Sequence, residues 1–437
     1  MNRADIAIVG GGIAGLTAAT EAARRGLRVL LFERAERIGG RSISTREGGF
    51  TFNLGPHALY DSHFRKALHD FDVPFHGTTP ARNRFAERDG KFHRLPITAS
   101  AVATTRLFGV RDRLDFLQAF TRIMKAKGEY LDELSTTLVS EWLDANVRRP
   151  RARAAAESLF RLASYANAPG ITSMDAVAAQ TMAGTVLYVD NGWQELANGL
   201  REAAQRSGAK IRSGARVERV AAADSGYELT LGNGEQVEAR SVIVAVEPAD
   251  AARIVEGPAG GTIERWAKAT VPIRAACLDV ALAKLPNPRR PWVLSVETPH
   301  YFSVHSSYAK LAPAGGGTVS AVRYLAPGED GMAAEAELEQ FVDLIQPGWR
   351  DELVYRRFMP ALVVASDIPK AASGGMAGRP GPAVPGAPGL FVAGDWVGRE
   401  GLLADASAAS GRAAAGLAAK LLADPASPVR GRVSIPA

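Results

Sequence analysis

Gly10, Gly12 and Gly15 follow an apolar run, Ile6-Ala-Ile-Val9, and an acid, Glu33, closes a second apolar run, Val29-Leu-Leu-Phe32. Residues of these types in this order suit the chemistry of holding phosphates and sugar hydroxyls. Gly10 permits a tight turn, Gly12 lets backbone approach a pyrophosphate at a helix N-terminus, and Gly15 lets helix and strand pack closely. Glu33, about twenty residues beyond the glycines, can accept hydrogen bonds from a ribose diol. The elements that must position them are a strand, a helix whose first turn carries Ile13 and Ala14, and a second strand ending at Glu33 and Arg34. This βαβ context favours a dinucleotide site over a glycine turn in another kind of α/β domain.

Further segments carry groups suited to the same ligand. Arg37-Ile-Gly39-Gly40-Arg41 comes directly after the acid and offers glycines for close approach and Arg41 as a planar cation for pyrophosphate. A basic loop with a glycine turn is its plainer reading. Val217 lies in Ala215-Arg-Val-Glu218, where a strand backbone can pair with an adenine edge. Gly394-Asp395 ends the apolar run Leu390-Phe-Val-Ala393 and offers a carboxylate to a ribityl chain or, alternatively, to a helix N-terminus. With these segments the generic dinucleotide site becomes one for FAD.

Other chemistries find little support. The 7 histidines form no zinc signature, so no metal is expected, and there is no GxSxG elbow. Cys277 is the only cysteine and lies in an apolar run, which predicts a buried thiol and excludes CxxC redox chemistry. No second dinucleotide fingerprint follows the first, so the substrate rather than a nicotinamide is expected to supply electrons. Tyr301 and His305 would share one face of a strand; a half-buried sheet face is favoured there over a catalytic role. Trp396 would wall the cofactor pocket or simply pack.

A chain of 437 residues, 46% hydrophobic and 22% charged, has room for two or three domains. Its net charge of +6 is spread without a dense basic run, which argues against nucleic-acid binding and leaves peripheral membrane association open. No secretory leader or membrane-spanning run is evident, so the expected location is cytoplasmic. The fold class expected is α/β, a Rossmann-like FAD-binding domain assembled from residues 1–56, 186–265 and 386–437. Residues 57–185, read as mostly helical, and 266–385, read as sheet-rich, would form a mixed α+β substrate domain. Residues 371–389, rich in Gly, Pro, Ala and Ser, read as a surface loop, and Val429-Arg-Gly-Arg-Val433 as a frayed basic tail.

Together these motifs resemble the flavin amine oxidase and phytoene desaturase superfamily, which includes protoporphyrinogen oxidase. The resemblance is nearest to bacterial phytoene-dehydrogenase-related proteins. It implies non-covalent FAD, with Glu33 on the adenosine ribose, Gly39, Gly40 and Arg41 bordering pyrophosphate and flavin, Val217 on adenine, and Gly394 and Asp395 on the ribityl–phosphate region. Gly55-Pro56-His57 matches the segment beside the isoalloxazine ring, with no catalytic role assigned to His57. Backbone near Leu403 and Ala404, at the start of the last helix, would stabilise negative charge on reduced flavin. The lysine that amine oxidases place near the flavin is missing from the run Arg274-Ala-Ala-Cys277. The implied activity is hydride removal from a C–H bond of an apolar, isoprenoid-like small molecule to form a double bond, with electrons passing to oxygen or a quinone. Amine or amino-acid oxidation and a non-catalytic FAD-binding partner role are the alternatives, and the oligomeric state is left open.

Overall fold

The first apolar run forms the strand Arg3–Val9, central in a seven-stranded sheet, in a computed structural model that describes residues 3–80, 84–426 and 429. Parallel neighbours flank it: Val29–Phe32 on one side and Gln236–Val244 on the other, with Lys210–Arg212 and Leu390–Val392 extending the parallel set. Val217–Ala223 and Gly226–Leu231 complete the sheet as antiparallel strands. Ile6, Ala7 and Ile8 are all fully buried, because helices or loops cover both faces, and this is why the strand is apolar without alternation.

Three helices, Ile13–Arg24, Gln194–Arg206 and Leu403–Ala423, share a core with Ile6, Ile8 and Leu31 on one face. The small residues of the last helix have a packing reason. A β-carbon at Gly411 would lie 2.4 Å from the Ala14 carbonyl oxygen, so only a glycine lets this helix lie so close to Ile13–Arg24.

A second seven-stranded sheet runs Leu353–Ala365, Ile273–Leu282, Gly317–Tyr324, His300–Val304, Trp292–Ser295, Arg84–Arg88, Lys91–Arg94 in spatial order. Period-two alternation sorts its side chains. Ala276, Leu278 and Val280 face the helix Ala334–Ile345, whereas Ala275 and Cys277 join the core made with the helices between residues 99 and 182.

That second sheet also takes in part of residues 57–185, the insertion expected to be mostly helical. Seven helices are present there among the described residues, and the hairpin Arg84–Arg88/Lys91–Arg94 leaves the insertion to pair in parallel with Trp292–Ser295. Asp89-Gly90, both at positive φ, form its turn, so a strong local hairpin signal was present in the sequence. Residues 371–389 also differ from a plain surface loop. Asp175 accepts a hydrogen bond from the Met376 amide, and Arg379 is buried, its guanidinium donating to the carbonyls of Asp395 and Gly401. Of the basic tail, Arg430 to Val433 lie outside the described residues. No described helix is long and apolar enough to cross a membrane.

Candidate functional site

The C-terminal ends of Arg3–Val9 and Val29–Phe32 open onto a cavity of about 710 Å³ that is also lined by the second sheet. Gly10 and Gly15 are buried, and each permits a close backbone approach. A β-carbon on Gly10, at φ +107°, would lie 2.4 Å from the Ala245 carbonyl oxygen, and one on Gly15 would lie 1.9 Å from that of Gly10. Gly12 differs, since a β-carbon there would meet nothing within 4 Å. Its backbone faces open space at the start of Ile13–Arg24, whose first turn carries no acid to neutralise the helix dipole. Gly10, Gly12, Ile13 and Ala14 line the cavity; Gly15 lies beneath it as a packing residue.

Glu33 is fixed by two backbone donors, the Gly11 amide at 2.7 Å and the Ala35 amide at 2.8 Å, one on each carboxylate oxygen. Glu33 and Val217 both line the cavity. Arg34 lines the same end but is paired with Asp250 at 3.0 Å. Gly39 and Gly40, both at positive φ, carry the chain along the cavity to Arg41.

Arg41 is where the two ends of the chain meet. Its guanidinium lies 2.8 Å from the Asp395 carboxylate and also donates to the Val364 carbonyl and the Ser366 hydroxyl. A third of the Arg41 side chain remains exposed, toward the cavity it lines. Burial alone would raise the Asp395 carboxyl, but Arg41 and the Ser366 amide outweigh it and hold it below the usual carboxylate range. Asp395 Oδ1 is buried with no hydrogen-bond partner among the described residues, as is Trp193 Nε1, and both residues line the cavity. Gly394 beside it is held by the Ser410 hydroxyl at 3.0 Å.

Pro56 and His57 line the middle of the cavity, while Gly55 turns behind them at φ +73°. His57 places its ring nitrogens 3.1 Å from the Gly55 carbonyl and 3.2 Å from that of Arg41, and its ring meets Trp193 edge-on at 4.8 Å. Burial lowers its pKa, and a neutral imidazole can donate to only one of these carbonyls at a time.

Opposite, the N-terminus of Leu403–Ala423 brings Leu403 and Ala404 to the cavity wall. Leu403 sits at φ +53°, a costly conformation for a branched side chain, and it turns the chain sharply into the helix. Sequence reading passed over Asp405 in this first turn. It is buried, accepts a hydrogen bond from the Phe64 amide at 2.7 Å, and has its pKa pushed up to about 6 by burial. An acid four residues after Gly401, in the first turn of a helix, was the available signal.

The far half of the cavity is aromatic. Tyr60 and Tyr165 share a hydrogen bond between hydroxyls, Tyr188 stacks on His305 at 4.1 Å, and Tyr301 meets Trp292 edge-on at 5.1 Å, with Tyr324 nearby. Burial raises every one of these phenols and lowers His305 to about 3, so the tyrosines and His305 stay neutral near neutral pH. The expectation that Tyr301 and His305 share a strand face is corrected: the strand ends at Val304 and His305 begins a 3-10 turn, yet both side chains are buried and line the cavity, as does Trp396. Cys277 is buried there, its thiol raised by burial and donating to Asp279. No lysine lines the cavity among the described residues; Arg84 is the cation of the aromatic half.

The arrangement holds no paired nucleophile and base. It offers glycine backbone and a helix N-terminus at one end, and an aromatic chamber holding Arg84 at the other. Residues 13–272 match the sequence family described as flavin containing amine oxidoreductase. A Mycobacterium tuberculosis protein named as a flavin-containing monoamine oxidase is 29% identical over 277 residues, covering 56% of this chain and 57% of that protein. The chain thus spans little more than half the length of that relative. A 4,4'-diapophytoene desaturase of Staphylococcus haemolyticus is 47% identical over 51 residues, 12% of this chain and 10% of the desaturase. Among solved structures, an oxidoreductase from Methanosarcina mazei shares the fold with a TM-score of 0.72, at 18% identity over 93% of this chain and 98% of that one.

Proposed function

The chain belongs to the flavin-containing amine oxidoreductase family, with FAD as its cofactor, and from that premise we propose that it removes hydride from a C–H bond of an apolar organic molecule, leaving a double bond. FAD, when bound, supplies the hydride acceptor. The observation that carries the reading is the two-part cavity: a glycine-lined end with open space at Gly12, and an aromatic end without a lysine or an acid.

The chain's own residues have binding and positioning roles in this proposal. Gly12 and the N-terminus of Ile13–Arg24 would take the pyrophosphate, Glu33 the ribose hydroxyls, and Val217 the adenine. Arg41 and Asp395 would hold the ribityl–phosphate region, the unpartnered Asp395 Oδ1 giving a ready acceptor for a hydroxyl. Pro56 and His57 would border the ring. The Leu403–Ala423 N-terminus would favour negative charge there through its dipole. The tyrosines, Trp292 and Leu362 would exclude water and orient the substrate. In the same proposal, the FAD-binding unit is built from residues 1–56, 186–265 and 386–437 and the substrate unit from the two insertions between them.

Anaerobic mixing of the holoprotein with polyene precursors and with amines is the test. Bleaching of the flavin band by the apolar alkenes is expected; bleaching by amines alone would overturn the desaturation reading in favour of amine oxidation. A second test addresses the cofactor end. Glu33→Ala removes the carboxylate held by Gly11 and Ala35, and the variant is expected to retain less flavin per protein after gel filtration than the parent. An unchanged ratio would remove Glu33 from the site.

A further inference from the structure

Arg84 is a cation without a counter-charge in the aromatic half of the cavity. It begins the strand Arg84–Arg88, pairs in register with Trp292, and lines the chamber together with Tyr188 and Tyr301. Of the other arginines around the cavity, Arg216 is exposed to solvent and Arg37 is held by neutral acceptors, while the rest are ion-paired. Arg41 is paired with Asp395, Arg34 and Arg253 with Asp250, and Arg37 donates to Gln194 and the Ser44 carbonyl.

Every Asp and Glu of the chain lies among the described residues, yet none forms an ion pair with Arg84, and no aromatic ring lies beneath its guanidinium. Its electrostatic neighbours are Tyr188, Tyr308 and Tyr301, all of them neutral phenols. The cavity's acids, Glu33, Glu247, Asp250, Asp395 and Asp405, belong to the glycine end or to the Leu403–Ala423 helix. Holding a part-buried guanidinium away from water without an anion is costly, and a bound anion would recover that cost. His305 Nε2, buried in the same wall, also has no hydrogen-bond partner among the described residues.

We propose that Arg84 receives the carboxylate of the substrate, which is therefore an apolar acid with its hydrocarbon body against the tyrosines and a single anionic head at Arg84. One planar guanidinium with no lysine beside it matches one carboxylate, bound through two parallel hydrogen bonds; a diphosphate would call for more cations. The same charge repels an ammonium group. The identification of the bound acid as substrate rests on the hydride-removal reading, but the anion site itself does not.

The site is tested by equilibrium titration of the oxidised holoprotein with 4-phenylbutyrate and its methyl ester, followed by perturbation of the flavin spectrum. The acid should bind at least about tenfold more tightly than the ester, a preference that Arg84→Gln abolishes and Arg84→Lys partly keeps. Flavin content should be unchanged in both variants, and the thermal midpoint should not fall. Equal affinity for acid and ester, no response to the acid, or a preference that survives in Arg84→Gln would overturn the proposal. Failure of the hydride-removal reading would appear separately, as a flavin that no substrate bleaches while the carboxylate preference persists.

Discussion

Asp395→Ala should both destabilise the protein and empty its cofactor site. The substitution leaves the Arg41 guanidinium without its partner at 2.8 Å and the Ser366 amide without its acceptor. Breaking a buried pair from one side typically costs about 3–5 kcal/mol, because the remaining charge stays desolvated. Flavin retained through gel filtration is expected to fall below about a tenth of the parent's, a loss on the scale that such an energy implies. Asp395→Asn keeps an acceptor for Ser366 and should lose less. Unchanged melting and flavin content in Asp395→Ala would show that the pair supports neither fold nor site. The pair also has a pH signature. Since the folded carboxyl is lowered, its stabilisation is present above the ordinary aspartate pKa and is lost as pH falls through the folded value.

Asp405 should behave in the opposite sense. Its pKa rises from 3.8 to about 6 on folding, so between those values the folded protein binds more protons than the unfolded chain. Stability linked to this group is therefore full below pH 3.8 and declines as pH rises to about 6, by up to about 3 kcal/mol for a shift of that size. Asp405→Asn retains an oxygen for the Phe64 amide and removes the ionisation. The variant, freed of flavin, should melt above the parent at pH 7 and match it near pH 4. Thermal unfolding at the two pH values checks this; an Asp405→Asn midpoint at or below the parent's at pH 7 would contradict it. In the same region, a neutral side chain leaves the dipole of Leu403–Ala423 uncancelled at its N-terminus, where an ionised acid would weaken attraction for negative charge on a ligand.

Much of the cofactor end was legible because its rules are local. A turn at positive φ needs glycine at position 10, a tight helix–strand crossing needs it at position 15, and an open approach needs it at position 12; each requirement shows within a few residues. The hairpin at Asp89-Gly90 was equally readable and was passed over in favour of the helical periodicity around it. Asp405 was overlooked for a different reason: an acid in a first helical turn looks the same whether it is solvated or buried, and only packing against Phe64 sets its pKa.

From residue types and spacing alone follow the α/β class, the dinucleotide-binding βαβ unit, the kinship with flavin oxidoreductases, and the separate motifs at Arg41, Val217 and Asp395. Tertiary structure decided what those motifs touch. It joined Arg41 to Asp395, drew a hairpin out of the helical insertion into the second sheet, and gathered tyrosines from distant segments around Arg84. Turn geometry, helix ends and strand alternation act over a few residues and leave a trace in the sequence. An ion pair or a chamber wall depends on distances through space between segments far apart in the chain, and no local spacing records them.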